Sequence, residues 1–180
     1  MKREIDVFQH ASEILKALRQ GVLITTKADD RVNSMTISWG MLGIEWATPQ
    51  FITFVRQGRF TKHNLDLNPE FTVNVPMEGR PYDRSILGFC GTKSGKDVDK
   101  ISDLGLTLVE PSVISVPGIR ELPLTLECKV SYQQDQVLES IDGPLREKFY
   151  PQDVDGSFHG ANRDVHTAYY GQIVAAYIID

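Results

Sequence analysis

Cysteine is scarce. Only Cys90 and Cys128 occur in 180 residues, and they form no CxxC pattern. That argues against a disulfide scaffold and against a zinc or iron–sulfur centre, so both thiols are expected reduced and no metal is expected. Basic residues form no block either: 19 Lys and Arg stand against 24 Asp and Glu, for a net charge of −5. The electrostatic footprint of a nucleic-acid binder is missing. No apolar run approaches the length of a membrane-spanning helix, and the first residues lack the apolar core of a signal peptide. A soluble, cytoplasmic chain with no membrane partner is expected. Repeats, low-complexity stretches and long linkers are also absent, so a single domain over residues 1–180 is expected, with 41% hydrophobic residues to fill its core.

Several chemical signatures are lacking too. Gly91 and Gly95 enclose three residues instead of the four of a nucleotide P-loop, and Asp97 stands where Ser or Thr belongs. No Rossmann glycine fingerprint is visible. His10, His63 and His159 have no cysteine or carboxylate at ligand spacing, and no order of Ser, His and Asp or of Cys and His suggests a nucleophilic hydrolase.

What remains is a β-rich pattern. Val7, Ala11, Ile14, Leu15 and Leu18 recur at helical spacing and predict an amphipathic helix ending near Gly21. Short strands follow at Gly21–Lys27, Ser34–Leu42, Phe51–Arg56 and Phe71–Val75, the first two joined by a turn around Asp29 and Asp30. Short helices are predicted near 61–67, 82–89 and 97–104, then strands at 122–133 and 168–179. The polar stretch from Ile141 to Arg163 reads as a long loop with a helical turn before Pro151, and long loops often cover ligand sites.

Four places carry candidate chemistry. From Asn33 to Trp39, alternation puts Met35 and Ile37 on one strand face and Ser34, Thr36 and Ser38 on the other. A row of small hydroxyls suits a polyol or phosphate, and it also fits an ordinary half-exposed strand. Arg56, Arg59 and Thr61 lie between a strand and a helix, where anions bind; surface arginines on a turn are the plainer reading. Lys93 and Ser94 occupy a glycine turn that is either a helix entry or a ligand contact. His166 has Asp164 and Thr167 as neighbours that can orient its ring, although a lone histidine is more often structural.

In this order, these segments resemble the flavin reductase-like, FMN-binding split β-barrel family, particularly its flavoredoxin-type members. The resemblance is carried by Asn33–Trp39, Pro49–Phe51, Val55–Arg56, Arg59 with Thr61, Phe71–Asn74, Cys90–Asp97 with Lys100, Leu126–Val130, and His166 before Tyr170 and Gly171. It implies a mainly β fold with flanking helices: a six-stranded antiparallel Greek-key split barrel, paired as a homodimer with FMN near the interface. It further implies cofactor contacts from Asn33, Met35, Thr36, Ser38, Trp39, Arg56, Arg59, Thr61, Lys93, Ser94 and His166. The implied activity is oxidoreduction from NAD(P)H through FMN to flavin, a redox partner protein or a small acceptor. The alternative is an electron-transfer flavoprotein without nicotinamide activity of its own. Because the flavin itself carries the redox chemistry, no catalytic side chain is required, with His166 the one candidate.

Overall fold

The computed structural model describes residues 1–156 and 159–180; Ser157 and Phe158, within the 141–163 stretch, lie outside the described residues. Strand β1 (Lys2–Glu4) precedes a 3-10 turn over Val7–His10 and helix α1 (Ala11–Leu18). Asp6 caps that turn by accepting the Phe8 N–H at 3.0 Å. Strands β2 (Val22–Ala28), β3 (Arg31–Ile37), β4 (Gly40–Glu45) and β5 (Thr48–Arg56) follow, then α2 (Phe60–Leu67) and β6 (Glu70–Val75). The middle supplies α3 (Ser85–Thr92), α4 (Lys100–Asp103) and the short pair β7 (Leu108–Val109) and β8 (Gly118–Ile119). Strand β9 (Leu124–Asp135), helix α5 (Gly143–Phe149) and strand β10 (His166–Ile179) complete the order. Among the described residues, no helix is long and apolar enough to cross a membrane.

The main sheet is antiparallel and runs β3-β2-β6-β9-β10-β5-β4. Long β10 keeps β9 along one edge, while β5 and then β1 share the other. Eight strands therefore stand where six are implied by the resemblance. The predicted strand 34–42 is in fact two, broken at Ser38 and Trp39. The barrel is not closed, because β3 and β4 each have a single paired edge. The architecture is nonetheless the mainly β split barrel with flanking helices.

Period-2 alternation fills the interior. Ile24, Phe51, Val55, Phe71, Val73, Leu126 and Tyr169 point inward, and α1 plugs the barrel with Ile14 and Leu18. Each such side chain contributes roughly 1.5–3 kcal/mol on burial. On the outer face, Leu23 packs with Ile86, Leu87 and Cys90 of α3 and with Leu122, forming a second apolar cluster. Two two-residue hairpins depend on left-handed backbone at non-glycine residues: Asp29 and Asp30 (φ 48° and 60°), and Trp46 and Ala47 (φ 49° and 57°). Both fit the right-handed twist of the strands they join.

Candidate functional site

Three segments meet beside β3. The turn after β5 brings Arg59 and Thr61, the end of α3 brings Lys93, Ser94 and Gly95, and α4 brings Lys100. With Asn33 and Met35 they enclose a notch of about 20 Å³, room for one water-sized group. Its described lining holds three cations, Arg59, Lys93 and Lys100, and no carboxylate. The Asn33 amide donates to the Thr61 hydroxyl at 3.2 Å, which itself faces the Met35 sulfur at 3.6 Å. Gly95 is obligatory here, because a Cβ on it would lie 2.1 Å from Asn33 Oδ1.

The two faces of β3 differ from the simple expectation. The side carrying Asn33 and Met35 meets the notch. The hydroxyl side is covered by helix α3, so its hydroxyls are already engaged: Ser34 pairs with Thr25 at 2.8 Å, and Thr36 donates to the Leu87 carbonyl at 2.7 Å. Hydrogen bonds within the fold thus engage Ser34 and Thr36, and of the row only Ser38 is exposed. Covering elements that arrive some 50 residues downstream are not visible in local alternation.

Arg56 also differs. Its guanidinium donates to the carbonyls of Asn162 (3.0 Å), Asp164 (2.6 Å) and Phe149 (2.8 Å), so it clamps the end of α5 and the 162–164 segment to β5. It does not line the notch. Arg59 does, and also donates to the Asn162 side chain at 3.2 Å, so Asn162 bridges the two arginines. Burial lowers the pKa of both guanidiniums.

Next to this clamp lies an aromatic group. Trp39 is 40% exposed and packs against Phe149 (5.2 Å, edge-on) and His166 (5.1 Å). The hydrogen bonds around His166 determine its tautomer. Gln136 Oε1 accepts from the His166 backbone N–H at 3.2 Å and from the Tyr150 hydroxyl at 2.9 Å. The single Tyr150 proton is thereby used, so its oxygen must accept from His166 Nδ1–H at 2.9 Å, leaving a lone pair on Nε2.

Burial, reinforced by Arg56, pushes the His166 imidazole down from 6.5 to about 4. Its charged form is disfavoured in the fold, so the unfolded chain takes up the proton first as pH falls. Stability is complete above 6.5 and declines as pH drops towards about 4. Urea midpoints measured across that window should fall, and His166→Gln should remove this component of the slope.

Neither cysteine offers a reactive thiolate: burial raises Cys90 to about 11 and Cys128 well above its ordinary value. Among the described residues no group of acidic, histidine or cysteine side chains could hold a metal. A separate cleft of about 1330 Å³ lies between α1 and the 76–84 segment and shares no residue with the notch. Of the residues singled out in the sequence, Arg59, Thr61, Lys93 and Ser94 come together at the notch. Sequence reasoning missed Tyr150, Phe149 and Asn162, whose parts depend on partners far along the chain and leave no local signal.

An open antiparallel barrel with helices over one outer face and a cationic notch at strand β3 defines the split-barrel class. Within it, the chain belongs to the family of flavin reductase like domains, which matches residues 16–180. An uncharacterized protein of Archaeoglobus fulgidus is 30% identical over 118 residues, 66% of this chain and 63% of that protein, so the match spans less than two thirds of that relative's length. Among solved structures, flavoredoxin of Desulfovibrio vulgaris superposes with a TM-score of 0.63 at 20% identity, covering 89% of this chain and 69% of that one. An FMN-binding domain of a flavin reductase-like enzyme from Shewanella baltica gives 0.64 at 15% identity, covering 99% and 77%.

Proposed function

We propose that this chain binds FMN with its phosphate at the mouth of the notch, one oxygen directed into it, and passes electrons from NAD(P)H through the flavin to free flavin, a partner protein or a small acceptor. The observation that carries this reading is the notch lining: three cations, hydroxyls and an amide, with no carboxylate among the described lining residues. That donor set fits a phosphomonoester, for which charge-assisted hydrogen bonds are the strong ones. Arg59, Lys93, Ser94 and Thr61 would hold the phosphate, while Asn33, Met35, Ser38 and Trp39 would border the ribityl chain and ring. Arg56 acts at one remove, holding the Asn162 segment against Arg59. His166 would present Nε2 as a hydrogen-bond acceptor beside Trp39. When bound, FMN supplies the hydride-accepting ring, and the protein supplies position and electrostatics.

The test is an absorbance spectrum of the purified protein with added FMN after desalting, followed by anaerobic NADH or NADPH. A retained flavin band that bleaches with nicotinamide is the expected result. Retention without bleaching would replace the reductase with an electron carrier, and no binding would overturn the reading. Arg59→Ala should weaken FMN binding by roughly 1–3 kcal/mol, the size of a charge-assisted contact. An unchanged FMN titration would remove Arg59 from the site.

We also propose a homodimer through the outer face of β4, β5, β10 and β9. Met41 (56% exposed), Trp46 (57%) and Tyr132 (45%) stand there with Tyr170 and Ile52, and the Trp46, Tyr132 and Tyr170 rings pack on one another. So large an exposed aromatic face marks an interaction surface. Sedimentation should show a species of twice the 20.2 kDa chain mass, and a monomer at micromolar concentration would overturn the proposal.

A further inference from the structure

Lysine is rarely buried without a carboxylate, yet Lys100 is 3% exposed. Its Nζ donates to the carbonyl oxygens of Ser34 (2.9 Å) and Cys90 (3.0 Å), and none of the described carboxylates pairs with it. An ammonium has three N–H donors, so one is left over. The neighbouring groups do not neutralise the charge. The Cys90 thiol is held protonated by burial, and Arg59 adds a second positive charge. A buried, uncompensated cation is costly, and such charges in proteins are normally paired. Lys100 also lines the notch at which Arg59, Lys93 and Thr61 converge.

We infer that Lys100 is the buried half of an ion pair whose other half arrives with the ligand: its free N–H meets a phosphomonoester dianion, and it sets the preference for phosphorylated over unphosphorylated flavin. The inference rests on the proposed FMN site and deepens it. The two carbonyl bonds tie β3 to the end of α3 and hold the ammonium in place. Exposed Lys93 can swing away into water, whereas Lys100 has nowhere to go. Its charge is already desolvated and therefore interacts strongly with an incoming anion.

The experiment uses the flavin-free protein and Lys100→Gln, which keeps donors for the two carbonyls and removes the charge, with Lys100→Met as a second variant. Three probes are titrated: FMN and riboflavin by fluorescence quenching, and inorganic phosphate by thermal shift. Lys100→Gln is expected to weaken FMN by about tenfold or more while riboflavin stays within about twofold. The rise in melting temperature with phosphate should also disappear. Equal losses for FMN and riboflavin would make Lys100 a mere tether and overturn the inference, as would no change in either. If the wild type binds neither flavin but phosphate still stabilises it through Lys100, the FMN reading fails and the anion anchor stands. If neither variant folds, lysine 15N resonances of the wild type decide. A slowly exchanging ammonium signal that moves with phosphate supports the inference, and one indifferent to phosphate overturns it.

Discussion

Gly171→Ala should cost on the order of 3 kcal/mol of folding stability, a large loss for one methyl group, as overpacking of a dense core does. A Cβ at this position would lie 2.4 Å from Phe71 Cζ, 2.7 Å from Phe71 Cε1 and 2.9 Å from the Cys128 Cβ. Phe71 is fully buried and cannot turn aside, and the third contact is close to backbone on the neighbouring strand. The pairing of β10 with β9 shifts register between Tyr170 and Gly171, so this is also where the strand bends. Urea unfolding measures the loss. Shortening the obstacle in a Gly171→Ala, Phe71→Leu double variant should restore part of it, giving a coupling between the two sites. A single variant as stable as wild type would show that the barrel wall yields more than its packing implies.

The second large effect is expected at Glu127. This carboxylate is fully buried in β9 and accepts the backbone N–H groups of Ser112 (2.6 Å), Val113 (2.7 Å) and Ile114 (3.2 Å). Those amides belong to a segment that has no strand partner there, so the side chain does the work of a sheet edge. Removing it in Glu127→Ala strands three donors and should cost on the order of 4 kcal/mol. Glu127→Gln should cost less, since one acceptor oxygen survives. Hydrogen exchange adds a local readout: the three amides should lose protection in Glu127→Ala well before the barrel strands do. Unchanged protection would mean that packing alone holds the segment.

Much of the fold was legible because the barrel strands follow simple alternation and their burial is one-sided. The β2 strand, the Phe51–Arg56 half of β5 and most of β9 and β10 could be read this way. The β4–β5 hairpin could not, because its turn uses Trp46 and Ala47 in left-handed conformations where glycine or asparagine would have given the signal. Within the candidate site, Arg59, Thr61, Lys93 and Ser94 were legible as charged and capping residues flanking short helices. Arg56 looked the same in sequence and serves differently, because carbonyls from Phe149, Asn162 and Asp164 reach it first. Lys100 drew attention only through family resemblance: nothing in its neighbourhood in the chain predicts a lysine without a carboxylate partner.

The open seam of the sheet has a dynamic consequence. Strands β3 and β4 lie at opposite ends of the pairing order yet are separated in sequence by only Ser38 and Trp39. The two unpaired edges of the open barrel are thus joined by a covalent link and not by a ladder, so bringing them together carries almost no loop-closure entropy. Alternate amides along β3 and β4 then face no strand partner and should exchange with solvent faster than their neighbours, an odd–even pattern rare inside a barrel. Whatever settles at that seam, ligand or second subunit, can be located residue by residue from where the alternation fades.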